Sequence, residues 1–161
     1  MGDEILVMGQ APGRTHPDVT PQQRRVVKFL ADLVGITPVE FCERCDFVNL
    51  LSCYHGKAGK GDCFPPDVAR AAASIFDPSP WSTIVMLGKN VPAAFGLRRD
   101  YFIWQMLSET RVAVFPHPSG VNRWWNDASN KRSAVIFLRS LLAADPPPDG
   151  TGRHPWPGTG R

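Results

Sequence analysis

Along this chain, short, mostly apolar runs are separated by stretches in which apolar residues return every three or four positions. The runs are EILVMG (4 to 9), DFVNLL (46 to 51), STIVMLG (82 to 88) and RVAVF (111 to 115). None alternates strictly between apolar and polar residues, so each reads as a strand covered on both faces. Between the first two runs, Val26, Val27, Leu30, Leu33 and Val34 recur at helical spacing. Thr20, Pro21 and Gln23 precede them as an N-cap, an N1 proline and a capping-box partner. Thr37, Pro38 and Glu40 repeat that signal for a second, shorter helix. An alanine-rich helix is predicted from about Pro66 to Phe76, a short one near Val91 to Phe95, and a last amphipathic one over Asn130 to Ala144.

Strands alternating with helices predict an α/β fold: three αβα layers around a central, mostly parallel four-stranded sheet. With 161 residues, 43% of them apolar, the chain is expected to form a single domain over 1–144. Residues 145–161 collapse into Pro, Gly and polar residues and are expected to be disordered. Sites in such sheets lie beyond the carboxyl ends of the strands. That places QAPGRTH, SCYHGKAGK, GKN and PHPSGVNRWW on one rim, from four separate parts of the sequence.

Composition narrows the picture only slightly. A net charge of +3 permits a polyanionic partner without requiring one. No apolar run reaches the ~20 residues of a membrane span, and the chain opens on Asp3 and Glu4, so a cytoplasmic monomer with no membrane partner is expected. Cys42, Cys45, Cys53 and Cys63 raise the question of a metal. Read as a strand, DFVNLLS holds Cys45 and Cys53 about 25 Å apart. Reduced structural thiols and no metal are therefore expected.

Four stretches carry candidate chemistry. GQAPG (9 to 13), FVNLL around Asn49, MLGKNVPAAFG (86 to 96) and HPSGVN (117 to 122) follow or contain the strands in that order. Together they resemble the uracil-DNA glycosylase superfamily. GQAPG is similar to its first motif, read elsewhere as GQDPY, GEAPG, GINPG or GLAPA. HPSGVN is similar to its second, read as HPSPLS or NPSGLN. MLGKNVPAAFG is similar to the LG-x-x-A-A segment of the iron-sulfur branch. The resemblance covers about residues 4 to 143.

It implies a monofunctional DNA glycosylase with that superfamily's fold, acting on uracil or a 5-modified pyrimidine by base flipping and hydrolysis, without a cofactor. Such an enzyme extrudes a base, holds its hydrogen-bonding edge and stabilises charge on the departing pyrimidine. His117 would donate to the pyrimidine oxygen, and Asn49 would read the N3 and O4 or N4 edge with one donor and one acceptor. Gly9, Ala11, Pro12, Gly13 and His16 would line the base pocket. Ser119 and Gly120 would meet phosphate, Asn122 would join the DNA contacts, and Val121 would wedge into the duplex. Arg123 and Trp124 would extend that wall, one of Trp124 and Trp125 being core instead. Lys57 and Lys60 in a glycine-rich loop, and Lys89 and Asn90 at a helix start, would add phosphate contacts. Structural alternatives stand beside these: a turn histidine satisfied by backbone, a buried network around Asn49, a solvated lysine loop.

Departures from the family pattern bear on mechanism. Where one branch carries aspartate and another asparagine, this chain has Ala11. Where the GEAPG branch carries glutamate, it has Gln10, which holds a water but cannot accept its proton. Asp18 is the nearest substitute carboxylate. Gly13 replaces a tyrosine and opens space at the pyrimidine C5. The base-stacking aromatic falls among His16, Tyr54 and His55. No Cys-x-x-Cys precedes GQAPG. Two other readings stand: a binding module without hydrolysis, and a nucleoside- or nucleotide-processing hydrolase.

Overall fold

The structure, a computed structural model, describes residues 4–13, 20–59 and 61–143. His16, Asp18, Lys60 and the 145–161 tail lie outside the described residues. The fold is α/β, with a central, mostly parallel sheet of five strands rather than four.

The first strand, β1, is Ile5–Gly9. After it the Thr20 to Gln23 signal produces a separate turn instead of capping a helix. Thr20 N donates to Gln23 Oε1 at 3.1 Å and Gln23 N to Thr20 O at 2.9 Å, closing a 3-10 turn over Pro21–Gln23. Arg24 is then extended, its guanidinium lying 5.1 Å from the Phe47 ring centre, and helix α1 runs Arg25–Val34. Gly35 stops it at φ 75°, its N–H on Asp32 O and that of Ile36 on Ala31 O, a left-handed termination that favours glycine. Helix α2, Pro38–Arg44, has the expected reciprocal box: Glu40 N donates to Thr37 Oγ1 at 3.1 Å and Thr37 N to Glu40 Oε2 at 2.7 Å.

Strand β2 is Cys45–Asn49. The glycine-lysine loop after it is not structureless, because β3 (Lys57–Ala58) and β4 (Gly61–Asp62) pair antiparallel as a small hairpin. Helix α3 (Pro66–Ile75), strand β5 (Thr83–Leu87) and the one-turn helix α4 (Asn90–Ala94) follow. Two further strands, β6 (Gln105–Leu107) and β7 (Thr110–Phe115), precede helix α5 (Ala128–Leu142). Sheet order is β2-β1-β5-β7-β6; the first four run parallel, and β6 lies antiparallel on the outer edge of β7.

Alternate strand residues feed two cores. Ile5, Val7, Phe47, Val85, Leu87 and Phe115 pack with α1, α2 and α5 on one face. Leu6, Met8, Val48, Ile84, Met86 and Val112 pack on the other with Trp81 and Val91, where Phe64 and Phe76 flank α3. Burial on both faces explains why the strands read as continuous apolar runs. None of the four cysteines forms a disulfide. Among the described residues no group of three or more His, Cys, Asp or Glu is placed to hold a metal ion. No helix among them is long and apolar enough to cross a membrane.

Candidate active site

The sheet order itself marks where a site can form. The chain leaves β1 toward β2 on one side and leaves β5 toward β7 on the other, so β1 and β5 flank a topological switch point. At such a point the two connections diverge and leave a crevice beyond the strands. Gln10 follows β1 there, Gly88 follows β5, and His117 lies two residues beyond β7.

These segments are tied to one another past the strand ends. Leu50 N donates to Gly9 O and Leu51 N to Gln10 O, both at 2.9 Å, so GQAPG leaves the sheet locked to the Asn49 segment. Gly88 N donates to Phe115 O at 2.8 Å, fixing the β5 turn against β7. Gly88 has φ 80°, and a methyl group built on it would sit 3.3 Å from both Gln10 Nε2 and His117 Cβ. Gly9 faces Asn49 in register, and a methyl group there would lie 2.5 Å from Asn49 Oδ1. Glycine is thus needed at both positions because the side chains of Gln10, His117 and Asn49 occupy the space where a Cβ would go.

Gln10, Asn49 and His117 are each half-buried, and among the described residues no hydrogen bond engages their side chains. Ala11 and Pro12 are half-buried beside them and Gly13 is exposed.

The loop after β7 explains its own odd composition. Three donors converge on the His117 carbonyl: Ser119 N at 2.9 Å, Asn122 Nδ2 at 3.1 Å and Trp125 Nε1 at 2.9 Å. Asn122 Oδ1 in turn accepts from Trp124 N at 3.2 Å, and Asn130 Nδ2 donates to Trp124 O at 3.2 Å. Asn122, read from the sequence as a DNA contact, therefore spends both ends of its amide inside the loop. The tryptophans are corrected as well, since both rather than one pack onto the core. Trp125 lies edge-on to Phe29 at 4.9 Å between ring centres, and Trp124 packs on Tyr101, Phe102 and Trp125. Trp125 holds the His117 carbonyl in place, and both half-buried rings pack against the core.

What the loop leaves outward is Val121 at its tip, 85% exposed, with Gly120 and Arg123 also exposed and Ser119 half-buried. Lys57, Lys89 and Asn90 are exposed. Of the stacking candidates that are described, Tyr54 and His55 are half-buried, and His55 Nε2 lies 3.5 Å from Cys53 Sγ.

Burial pushes the His117 imidazolium below its ordinary pKa, and the Asp62 carboxylate opposes that shift in part. Asp62 belongs to the β3–β4 hairpin and escaped sequence reading, where the segment carried only a lysine-glycine signal. His117 is accordingly a neutral donor at neutral pH. The unfolded chain takes up the proton more readily than the folded one, so this group's stabilisation is complete above about pH 6.5. It is lost as pH falls through the window between that value and the lowered folded pKa. Asp62→Asn removes the opposing charge and is expected to move the His117 titration, followed by its ring-proton NMR signals, to still lower pH. An upward or absent displacement would contradict the placement of the hairpin.

Gly88→Ala is expected to cost about 1–2 kcal/mol from the left-handed backbone alone, a fall in Tm of roughly 2–8 °C for a domain of this size. The added methyl group also presses on Gln10 and His117 together, so ligand binding in the crevice should fall with stability. Thermal melts and crevice binding measured on the same preparation check both effects. Comparison with protein-family models and with curated proteins gives no match for this sequence.

Proposed function

We propose that this protein is a monofunctional DNA glycosylase with a uracil-DNA glycosylase-like fold, which hydrolyses the N-glycosidic bond of uracil or a 5-modified pyrimidine after flipping it from the stack. The observation that carries this reading is the approach of Gln10 and His117 to each other across Gly88 at the β1/β5 switch point, with Asn49 facing Gly9 at the end of the neighbouring strand and no hydrogen bond engaging the three side chains among the described residues. One amide offers the donor and acceptor that a pyrimidine edge requires, and one neutral imidazole offers an N–H. Beside them Val121 projects from a loop braced internally, as a wedge into a duplex must.

In the reaction, the bond between the sugar C1′ and the base nitrogen breaks with its electron pair leaving on the pyrimidine. His117 stabilises the charge that develops on the pyrimidine oxygen. Water adds to C1′ and releases a proton to solvent. Gln10 orients that water without taking its proton, and Ala11 contributes no polar group, so leaving-group stabilisation carries most of the catalysis. Gly13 leaves the C5 side of the base uncrowded, which supports tolerance of 5-substituted pyrimidines.

The absence of a carboxylate at Gln10 and Ala11 favours one alternative, a module that recognises the flipped base and does not hydrolyse it. The deciding experiment is single-turnover cleavage of oligonucleotides carrying uracil, thymine, 5-hydroxymethyluracil or 5-modified cytosines, single-stranded and opposite each base, with alkali to reveal abasic sites. Cleavage of any of them supports the glycosylase. Salt-dependent binding without cleavage supports the module. Turnover of free nucleosides with indifference to duplex DNA would replace both with a nucleoside hydrolase.

A further inference from the structure

Beside the crevice, and not part of it, lies a groove of about 680 Å³ lined by Lys89, Arg98, Arg99, Asp100 and Tyr101, among others. It includes Lys89, the residue after Gly88, and Gly88 itself lies against Gln10 and His117, so groove and candidate site share the turn that follows β5. Arg98 Nε meets Asp100 Oδ2 at 3.2 Å, which offsets one cation. Lys89 and Arg99 have no acidic partner among the described residues, so the groove holds a net positive charge. The Lys89 ammonium sits 5.2 Å from the centre of the Tyr101 ring.

The groove wall is built in advance of any ligand. The Gln105 side chain grips the Arg98 backbone from both sides, accepting from Arg98 N at 3.0 Å and donating to Arg98 O at 2.8 Å. Tyr101 bridges to Val114 of β7, and Phe102 N donates to Val114 O at 2.9 Å. Leu97 N donates to Pro92 O at 2.9 Å. With this backbone already fixed, a polyanion that binds here has only the exposed Lys89 and Arg99 side chains to order.

We propose that Lys89, Arg99 and Tyr101 form a phosphodiester trough that carries the DNA strand away from the crevice. Lys89, Arg98, Arg99 and Asp100 are all solvent-exposed, so the groove is an open channel suited to a chain running through it and not to an enclosed mononucleotide. Lys89 and Arg99 take phosphates, and the half-buried Tyr101 ring supplies a face for a sugar or base. That the strand is the one bearing the flipped nucleotide rests on the glycosylase reading; that the trough binds phosphodiester does not.

The test uses the full chain and an undamaged 20-nucleotide single strand, with binding followed by fluorescence anisotropy across a salt series. Arg99→Ala is expected to lower the slope of log affinity against log salt by roughly 0.7, one phosphate contact on a single strand. Arg99→Glu should weaken binding by at least about tenfold. Arg139→Glu, an equal charge change on the exposed face of α5, controls for net charge. Equal weakening by Arg99→Glu and Arg139→Glu overturns the trough, as does displacement of the strand by equimolar dTMP. These outcomes separate from those of the function itself. A wild-type protein that cleaves no base but whose binding depends on Arg99 keeps the trough and loses the glycosylase. One that cleaves while Arg99→Ala leaves the slope unchanged does the reverse.

Discussion

Replacing His117 with alanine is expected to lower single-turnover cleavage by at least about tenfold, ~1.4 kcal/mol of transition-state stabilisation. The loss should approach the 10²–10³-fold range, roughly, seen when one preorganised donor to a developing oxyanion is removed. The magnitude reflects how the residue is held. Ser119, Asn122 and Trp125 all bind its carbonyl, so alanine keeps the loop and removes only the imidazole. Stability should therefore change little while the chemical step slows. His117→Gln retains an N–H donor at the same loop position and should recover part of the rate. With Gln10 unable to take a proton and Ala11 bearing no polar group, no other described group at the motif compensates. Near-normal cleavage by His117→Ala, on any substrate the wild type accepts, would remove the imidazole from the mechanism.

The same loop shows how far the sequence could be read. Apolar runs located β1, β2, β5 and β7, and their parallel arrangement placed QAPGRTH, SCYHGKAGK, GKN and PHPSGVNRWW on one rim, because burial on both faces is written directly into composition. Strand β6 was illegible for the converse reason. It is three residues long, lies on an edge, and exposes Met106. The link from β6 to β7 uses Ser108 at φ 53°, where glycine or asparagine would have announced a hairpin. Trp124 and Trp125 misled in a related way: adjacency in a polar loop suggests exposure, whereas a 3-10 turn over Arg123–Asn126 brings both rings back onto the core. Gln23 reached back to Thr20 N as a capping box requires, but its own N–H bonds the Thr20 carbonyl instead of the hydroxyl, so the contact closed a turn and α1 began beyond it. Asp62 could not be found at all from spacing, because its nearness to His117 depends on how the hairpin folds.

Asn49→Ala is the second large expected effect, again at least about tenfold in single-turnover cleavage, and Gly9 makes it possible to distinguish recognition from packing. If Asn49 were a structural member of a buried network, its loss would appear mainly as instability. Its side chain makes no hydrogen bond among the described residues, so Asn49→Ala should leave Tm close to that of the wild type. Gly9→Ala reaches the same amide from below. The new methyl group would collide with Asn49 Oδ1, and Phe47 Cζ, at 3.3 Å, would have to yield slightly. Because the closest obstacle is the end of a rotatable side chain, the cost to stability should stay near the low end for added core volume, about 1 kcal/mol. Cleavage should nevertheless fall nearly as far as in Asn49→Ala, because the amide is displaced from the position it holds against Gly9. The double variant decides the matter. If Gly9→Ala acts through Asn49, combining the two should be no worse than Asn49→Ala alone, a coupling expected of residues in contact. Additive losses would mean that Gly9 shapes the crevice independently, and that Asn49 does not read the base from the position the strand gives it.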